Sequence, residues 1–270
     1  MSKTLVSIIM GVYNEEKTLE RCLDSIIAQT YDNWELIVCD DCSDDGTVGI
    51  LEKYIKKDNR IKLLRNEKNI RLAASLNKCL DAAKGEYIAR MDADDISLPN
   101  RLEKQVKFLE EHEDIDCVGS NMVVFDESGD KGVRESIEKP IKKDMLCKAP
   151  FFHPTIMMRK SVYDDLGGYT VSPETMRAED LDLWFRFFKR GYKGYNIQEN
   201  LYRYHESTTD YKKRTLKAAI KTAMVYIGGF KMLGFSKIKY LYAMRPIISA
   251  ILPNRFMEKY HCSKLVLKKG

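Results

Sequence analysis

The sequence contains no run of about 18 uninterrupted apolar residues, so no segment reads as a membrane span. It shows no N-terminal secretory signal, and its seven cysteines are an odd number. A fully paired disulfide scaffold is excluded on that count, and reduced thiols in a cytoplasmic protein are expected. Cys39 and Cys42 form a Cys-x-x-Cys, but Asp40 and Asp41 lie between them and no second pair completes a zinc set. No Gly-x-Gly-x-x-Gly follows the first apolar run, which argues against a dinucleotide-binding dehydrogenase. A pyrophosphate would have to be held here by a metal instead. Acids are almost missing from the end of the chain. Residues 211–270 hold 14 Lys and Arg and one acid, Glu258, a net +13 that leaves −8 on residues 1–210 of a chain whose total is +5. The two parts face different partners.

The 270 residues have the composition of an ordinary globular protein, long enough for one large α/β domain or a domain with an appendage. Leu5 to Met10 is a continuous apolar run, expected of a central parallel strand covered on both faces. Asn14 is placed to cap a helix whose first turn holds Glu15 and Glu16, and Leu19, Cys22, Leu23, Ile26 and Ile27 follow at helical spacing. Glu35 to Cys39 reads as a second strand, leading through the polar loop from Asp40 to Thr47 into a helix that reaches about Lys57. Ile61 to Leu64 is a third strand, Leu72 to Ala83 a helix closed by Gly85, and Tyr87 to Met91 a fourth strand. This alternation predicts a right-handed, doubly wound sheet, whose ligands bind beyond the carboxyl ends of the strands. Three such ends carry Tyr13-Asn14-Glu15, Asp40-Asp41 and Asp92-Ala93-Asp94. The negative charge of Asp92, Asp94 and Asp95 is costly at a strand end unless something compensates it. Their spacing suits a hard divalent ion that keeps positions open for phosphate oxygens; the plainer alternative is a solvated acidic turn ahead of a helix with Pro99 in its first turn.

Downstream the pattern predicts a helix from Pro99 to His112, a strand from Asp116 to Phe125, and a turn at Glu127 to Asp130 into a polar strand. An apolar run from Phe151 to Met158 is interrupted by His153-Pro154, and Leu166 to Tyr169 is a turn. A helix from near Arg177 to Gly191 and two short strands, Tyr192 to Ile197 and Leu201 to His205, follow. Beyond Thr208 the chain turns to helical stretches rich in Lys, Met and aromatics.

Taken in order, Ser7 to Glu16, Asp40 to Thr47, Ala82 to Ile88, Arg90 to Asp95, His153-Pro154-Thr155, Gly167-Gly168-Tyr169, Glu179-Asp180 and Tyr202 to His205 resemble the family-2 glycosyltransferases. These are inverting enzymes of the GT-A fold that use nucleotide sugars. The resemblance covers roughly residues 4 to 205 and rests on the order of separate motifs more than on any one. It implies a GT-A-type, doubly wound mixed sheet with a Rossmann-like nucleotide-binding half within residues 1–206; residues 207–270, which its motifs do not cover, read from their composition as a basic amphipathic helical extension. It implies that Tyr13 flanks the base, with Val12 and Glu15 beside the nucleotide sugar, and that Asp41 hydrogen-bonds uracil. Asp92 and Ala93 would lie against the ribose and donor sugar, Asp94 and His205 would hold Mn2+ or Mg2+, and Asp180 would be the general base. Glu179, His153 and Trp184, one helical turn from Asp180, fall on the acceptor side, although Trp184 also suits the core and His153 a structural role. Three positions depart from the family's habit. Gly11 stands where Pro or Thr is often seen, and Cys42 and Arg71 stand where glycine is common; Arg71 could reach the uracil or the phosphates.

The implied acceptor is a saccharide or lipid-linked glycan of a bacterial-type surface polysaccharide, reached at the inner face of the cell membrane. Residues 215–252 pair six cations with apolar positions and hold no acid, as interfacial amphipathic helices do, although the same positions could pack on the sheet's flank. Competing readings are a sugar nucleotidyltransferase, which wants a basic glycine-rich loop where Gly11 to Glu16 is acidic, and a non-catalytic nucleotide- or glycan-binding module, which would tolerate loss of Asp94 or Asp180. Nucleic-acid binding is not expected of an acidic body without a recognised motif.

Overall fold

The computed structural model describes residues 3–206 and 215–252. Strands β1 (Val6–Val12), β2 (Trp34–Asp40), β3 (Ile61–Arg65) and β4 (Tyr87–Arg90) lie parallel in the order β3-β2-β1-β4. Their residues alternate between two cores. Ile8, Met10, Leu36 and Val38 pack with Leu19, Cys22, Leu23 and Ile26 of helix α1 (Leu19–Ile27) and Leu51 of α2 (Thr47–Ile55). Ile9, Ile37 and Cys39 pack on the opposite face with Leu76, Cys79 and Leu80 of α3 (Leu72–Ala82). Strands covered on both faces have no polar side to show, hence their largely apolar runs, in which the buried Ser7 and Glu35 bond each other.

Past β4 the sheet continues through β8 (Met157–Arg159), β6 (Cys117–Asp126), β9 (Gly194–His205) and β5 (Ile96–Ser97), with β7 (Gly129–Arg134) on the edge of β6. β8 is antiparallel to both β4 and β6, whereas β9 runs parallel to β6, so the sheet is mixed. Helices α4 (Arg101–Glu111), α5 (Lys160–Leu166) and α6 (Glu179–Arg190) complete the cover. Arg101 lies buried and donates to the carbonyls of Arg90, Pro154 and Ile156, fastening the segment before β8 to the end of β4.

Three local expectations change. Asn14 does not cap α1, whose cap position is Thr18; Asn14 adopts φ 57° and spends its side chain on Asp44 of the next loop. Gly85 does not close α3. A Cβ there would stand 2.5 Å from Ser7 N and 2.7 Å from Leu5 O, so glycine lets the start of β4 press against β1. The two strands expected over 192–205 are one, β9, whose register against β6 jumps from Ile197 to Asn200, so the polar Gln198 and Glu199 form a bulge.

The described part of the extension holds α7 (Leu216–Met232), a 3-10 segment (Lys237–Met244) and α8 (Arg245–Ile251). Thr215 caps α7 by accepting from Ala218 N. Its apolar residues divide between two environments. Phe230, Leu233 and Ala243 are buried in the second core, and Gly229 lies flat on the Phe185 ring, 2.2 Å from where its Cβ would be. Met224, Ile238, Leu241, Ile248 and Ile251 point outward, 56–71% exposed. Among the described residues no helix is long and apolar enough to cross a membrane. The expected boundary at 206/207, and the ends of the extension at 207–214 and 253–270, lie outside the described residues.

Candidate active site

The loops that follow β1 and β2 are stitched together. Asn14 N donates to Ser43 Oγ, Glu15 N to Thr47 Oγ1 and Glu16 N to Asp45, while Gly46 N donates back to Glu16. Val12 is buried at the end of β1 and Tyr13, 47% exposed, stands out of it. Asp41 is buried: one carboxylate oxygen accepts from Asn66 Nδ2 and Ile70 N, the other from Arg71 N at 2.8 Å. It therefore fastens the loop carrying Arg71 and keeps a lone pair for one further donor. Arg71 is exposed at φ 77° and Cys42 sits at φ 68°. Both departures from the family's glycine thus fall where the backbone is left-handed.

The acidic strand end is held from below by α1. Arg21 Nη2 donates to the Asp94 carbonyl and Cys22 Sγ to the Asp92 carbonyl, while Asp92 N donates to the Tyr202 hydroxyl of β9. The Asp92 carboxylate is ion-paired with the buried guanidinium of Arg90. Burial, with the charges of Asp92 and Glu15, pushes Asp94 up to about 6, and burial with its two neighbours raises Asp95 well above the ordinary carboxylate range. Asp95 faces inward and accepts from His205 N at 2.7 Å, which joins the end of β9 to this turn. The His205 ring stands between two acids: Nε2 is 3.1 Å from Glu127 Oε1, and Nδ1 is 3.6 Å from Asp94 Oδ2. Among the described residues no three His, Cys, Asp or Glu side chains close on one point as a ready metal cage.

The residues expected on the acceptor side gather on and around α6. Glu179 and Asp180 occupy its first turn, and Asp180 Oδ1 accepts from Leu181 N. Burial raises both carboxyls, and the charge of Arg90 works against that rise at each. The charge of Asp92 adds a small further rise at Asp180. His153 lies 2.8 Å from the Tyr169 hydroxyl, which meets Tyr163 at 3.1 Å; burial and then Arg90 hold the imidazole neutral. Trp184 is wholly buried against Phe151 and the His153 ring and offers no surface to a ligand. The extension reaches this side too. Lys221 Nζ donates to the Pro173 carbonyl in the loop before α6, and Tyr226 feels the charge of Asp180.

The structure joins Asp94, Asp95, Glu127 and His205 at the ends of β4 and β9 and places Glu179 and Asp180 at the head of α6, with Tyr13 and Glu15 following β1. Asp41 and Arg71 lie farther along the sheet, beyond β2. Arg90 and Glu127 had no assigned part in the sequence, where one was a strand residue and the other a turn residue. A cavity of about 630 Å³ lies elsewhere, between Phe108, Ile141 and Tyr192, and touches none of these groups.

The family described as Glycosyl transferase family 2 matches residues 7–167. EpsE of Bacillus subtilis (strain 168), named as a glycosyltransferase, is 46% identical over 265 residues, 98% of this chain and 95% of its own. The O-antigen biosynthesis glycosyltransferase WbnJ of Escherichia coli is 34% identical over 212 residues, 76% of this chain and 82% of its own. Among solved structures, S. aureus TarS 1–349 in complex with UDP superimposes with a TM-score of 0.69 at 21% identity, covering 94% of this chain and 77% of that one.

Proposed function

Because the chain belongs to glycosyl transferase family 2, whose members it matches in motif and fold, we propose that it moves a sugar from a UDP-sugar to a hydroxyl of a saccharide or lipid-linked glycan, with inversion. The observation that carries the reading is the acidic strand end, where Asp94 Oδ2 faces His205 Nδ1 at 3.6 Å, with Asp180 at the head of α6 as the base. Asp180 takes the acceptor proton as the acceptor oxygen forms its bond to the anomeric carbon. The bond from that carbon to the diphosphate breaks, and its electron pair leaves with the nucleoside diphosphate. A positioned carboxylate base contributes about 10²–10⁴ in rate. Burial raises the affinity of Asp180 for that proton, as a base requires.

Asp94 and His205 fit a divalent ion. Glu127 can only accept, so the proton of the neutral ring belongs on His205 Nε2, and Nδ1 turns its lone pair toward Asp94 Oδ2. Two acceptor atoms 3.6 Å apart oppose each other unless a proton or a cation lies between them. An oxygen and an imidazole nitrogen suit Mn2+ or Mg2+, with the remaining positions left to diphosphate oxygens. When bound, such an ion supplies positive charge to the leaving diphosphate. On the nucleotide side, Tyr13 offers its exposed ring to the base, Asp41 accepts from the uracil N3–H, and Val12, Glu15, Asp92 and Ala93 line the donor. Arg71 reaches the uracil or phosphates from its loop.

The acceptor's carrier would place the enzyme at the inner face of the cell membrane, bound there through the extension. Residues 215–252 carry six cations and no acid, and Ile238, Leu241 and Ile251 are about 70% exposed beside Lys237 and Lys239. A surface of this kind sits in a lipid interface, each nearby cation gaining about 1 kcal/mol from anionic lipid. Two experiments test the whole reading. In a screen of nucleotide sugars with Mn2+, nucleoside diphosphate release is expected with a UDP-sugar and is to disappear with a chelator; release from GDP-sugars alone would overturn the donor class. The full chain is expected to sediment with anionic vesicles at low salt, and its staying in the supernatant would overturn membrane attachment.

A further inference from the structure

Behind the Asp41 carboxylate stands a chain of three polar side chains. Asp41 Oδ1 accepts from Ile70 N at 2.8 Å and from Asn66 Nδ2 at 2.9 Å, and Oδ2 accepts from Arg71 N at 2.8 Å. Asn66 is buried, and its whole amide is engaged. Nδ2 donates to Asp41 and to Ser75 Oγ at 3.0 Å, while Oδ1 accepts from Lys78 Nζ at 2.6 Å. An ammonium only donates and a carboxylate only accepts. A carboxamide set between them can therefore stand one way round, oxygen toward Lys78 and nitrogen toward Asp41. Turned over, it would oppose oxygen to oxygen and donor to donor at a site shut off from water. Ser75 and Lys78 are three residues apart on α3, and Arg71 is the cap position of the same helix. One rigid element thus carries the cation, the hydroxyl and one of the backbone donors.

On the reading that Asp41 meets the base, we propose that Lys78 and Asn66 are positioning residues that set base specificity: Lys78 orients the Asn66 amide, and the amide fixes which oxygen of Asp41 the base can reach. A carboxylate oxygen has room for about two donors. Among the described residues Oδ1 has both of its own, and Oδ2 has Arg71 N alone. The one vacancy therefore lies on Oδ2, and it accepts. Uracil and cytosine differ at ring N3, which carries a proton in the first and a lone pair in the second. An acceptor fixed in place gains a hydrogen bond from uracil and meets a lone pair in cytosine, with no second vacancy through which the carboxylate could adapt. Without Lys78 the amide is free to turn. Asp41 then loses a donor and faces an oxygen, so Oδ1 is opened, the carboxylate is pushed aside and its acceptor no longer points to one place. Asn66 N also donates to the Asp40 carbonyl, which holds the amide's backbone to the end of β2 beside the group it orients.

With the full chain and Mn2+, dissociation constants of UDP and CDP are measured by calorimetry for wild type, D41N, K78M, K78R and N66A. Wild type is expected to favour UDP by about 10–100-fold, and D41N to lose that preference, because a carboxamide offers the base either a donor or an acceptor. A wild type without preference, or a D41N that keeps it, overturns Asp41 as the group that meets the base, and the roles of Lys78 and Asn66 with it. K78M and N66A are expected to lower the ratio of CDP to UDP dissociation constants by about 3–10-fold, the worth of one hydrogen bond, chiefly by weakening UDP. K78R still only donates and is to keep the wild-type ratio. Two results would overturn the role of Lys78 and Asn66 while leaving Asp41 in place. One is a K78M ratio equal to that of wild type, including the case in which UDP and CDP weaken alike, as they would if Lys78 merely held the loop. The other is a K78R ratio as low as that of K78M. Thermal melts establish folding; Lys78 lies at the surface, so K78M and K78R decide if N66A does not fold.

Discussion

At the donor edge of the cleft, polar bonds between loops do the holding: Asn14 to Asp44, Glu15 to Thr47, Asp41 to the 66–71 turn, Arg21 to the Asp94 carbonyl. At the acceptor edge, Glu179 and Asp180 stand at the head of a helix packed on aromatic rings, Phe151, Trp184, Phe187 and Phe185, with α7 laid over the last of these. On the proposed function the contrast follows from what each edge would bind. A nucleotide diphosphate would be read by charges and hydrogen-bond donors, which need fixed polar loops. An acceptor would need one carboxylate held in a partly dry place, which apolar packing provides. The donor edge is therefore expected to fail by losing affinity, and the acceptor edge by losing stability or turnover.

The largest effect should come from the packing under the acceptor edge. Phe230→Ala empties a wholly buried site and is expected to lower unfolding free energy by about 3–5 kcal/mol in denaturant titration. Ile238→Ala, on the outward side of the same extension, should change it by less than about 0.5 kcal/mol. Equal small effects would detach the extension from the acceptor edge. Asp180→Asn comes next, with turnover down at least about a hundredfold, roughly 2.7 kcal/mol of transition-state stabilisation, and UDP affinity by calorimetry unchanged. A variant of near-normal turnover removes Asp180 from the chemistry.

The donor edge should respond more gently. Cytosine and adenine lack the ring N–H that Asp41 can accept, so UDP is expected to bind ahead of CDP and ADP by about 1–3 kcal/mol in competitive titration. Tighter binding of GDP than UDP would reverse the assignment. The smallest change is expected at Cys42, where φ is 68°. Cys42→Gly relieves a left-handed cysteine but gains chain entropy when unfolded, so stability should rise by no more than about 1 kcal/mol in thermal melts. A clear loss would show that the thiol itself matters there.

The first four strands, β6, the three polar strand ends and the Glu179-Asp180 helix were legible in the sequence because each is a local pattern: apolar runs, a cluster of acids, helical spacing. Arg90 was not, since nothing local distinguishes a strand arginine that pairs with an acid from one that meets solvent. Glu127 read as a turn residue, and only the pairing of β6 with β9 brings it to His205. Asn14 and Gly85 were misplaced for the same reason, because their partners are 30 and 78 positions away, at Asp44 and Ser7. The extension was half legible. Its apolar positions run nearly all round the helix, a pattern compatible with both core and interface, and the structure buries some of them and leaves others exposed.

Gly229 against Phe185, with Lys221 on the Pro173 carbonyl, has a consequence for how such enzymes can be recombined. A segment that merely tethers could be exchanged between relatives without touching selectivity. Here the exchanged piece would carry away the cover over Phe185 of α6, along with the bond that steadies the loop before Asp180. A working chimera would therefore have to take α6 and α7 from the same parent.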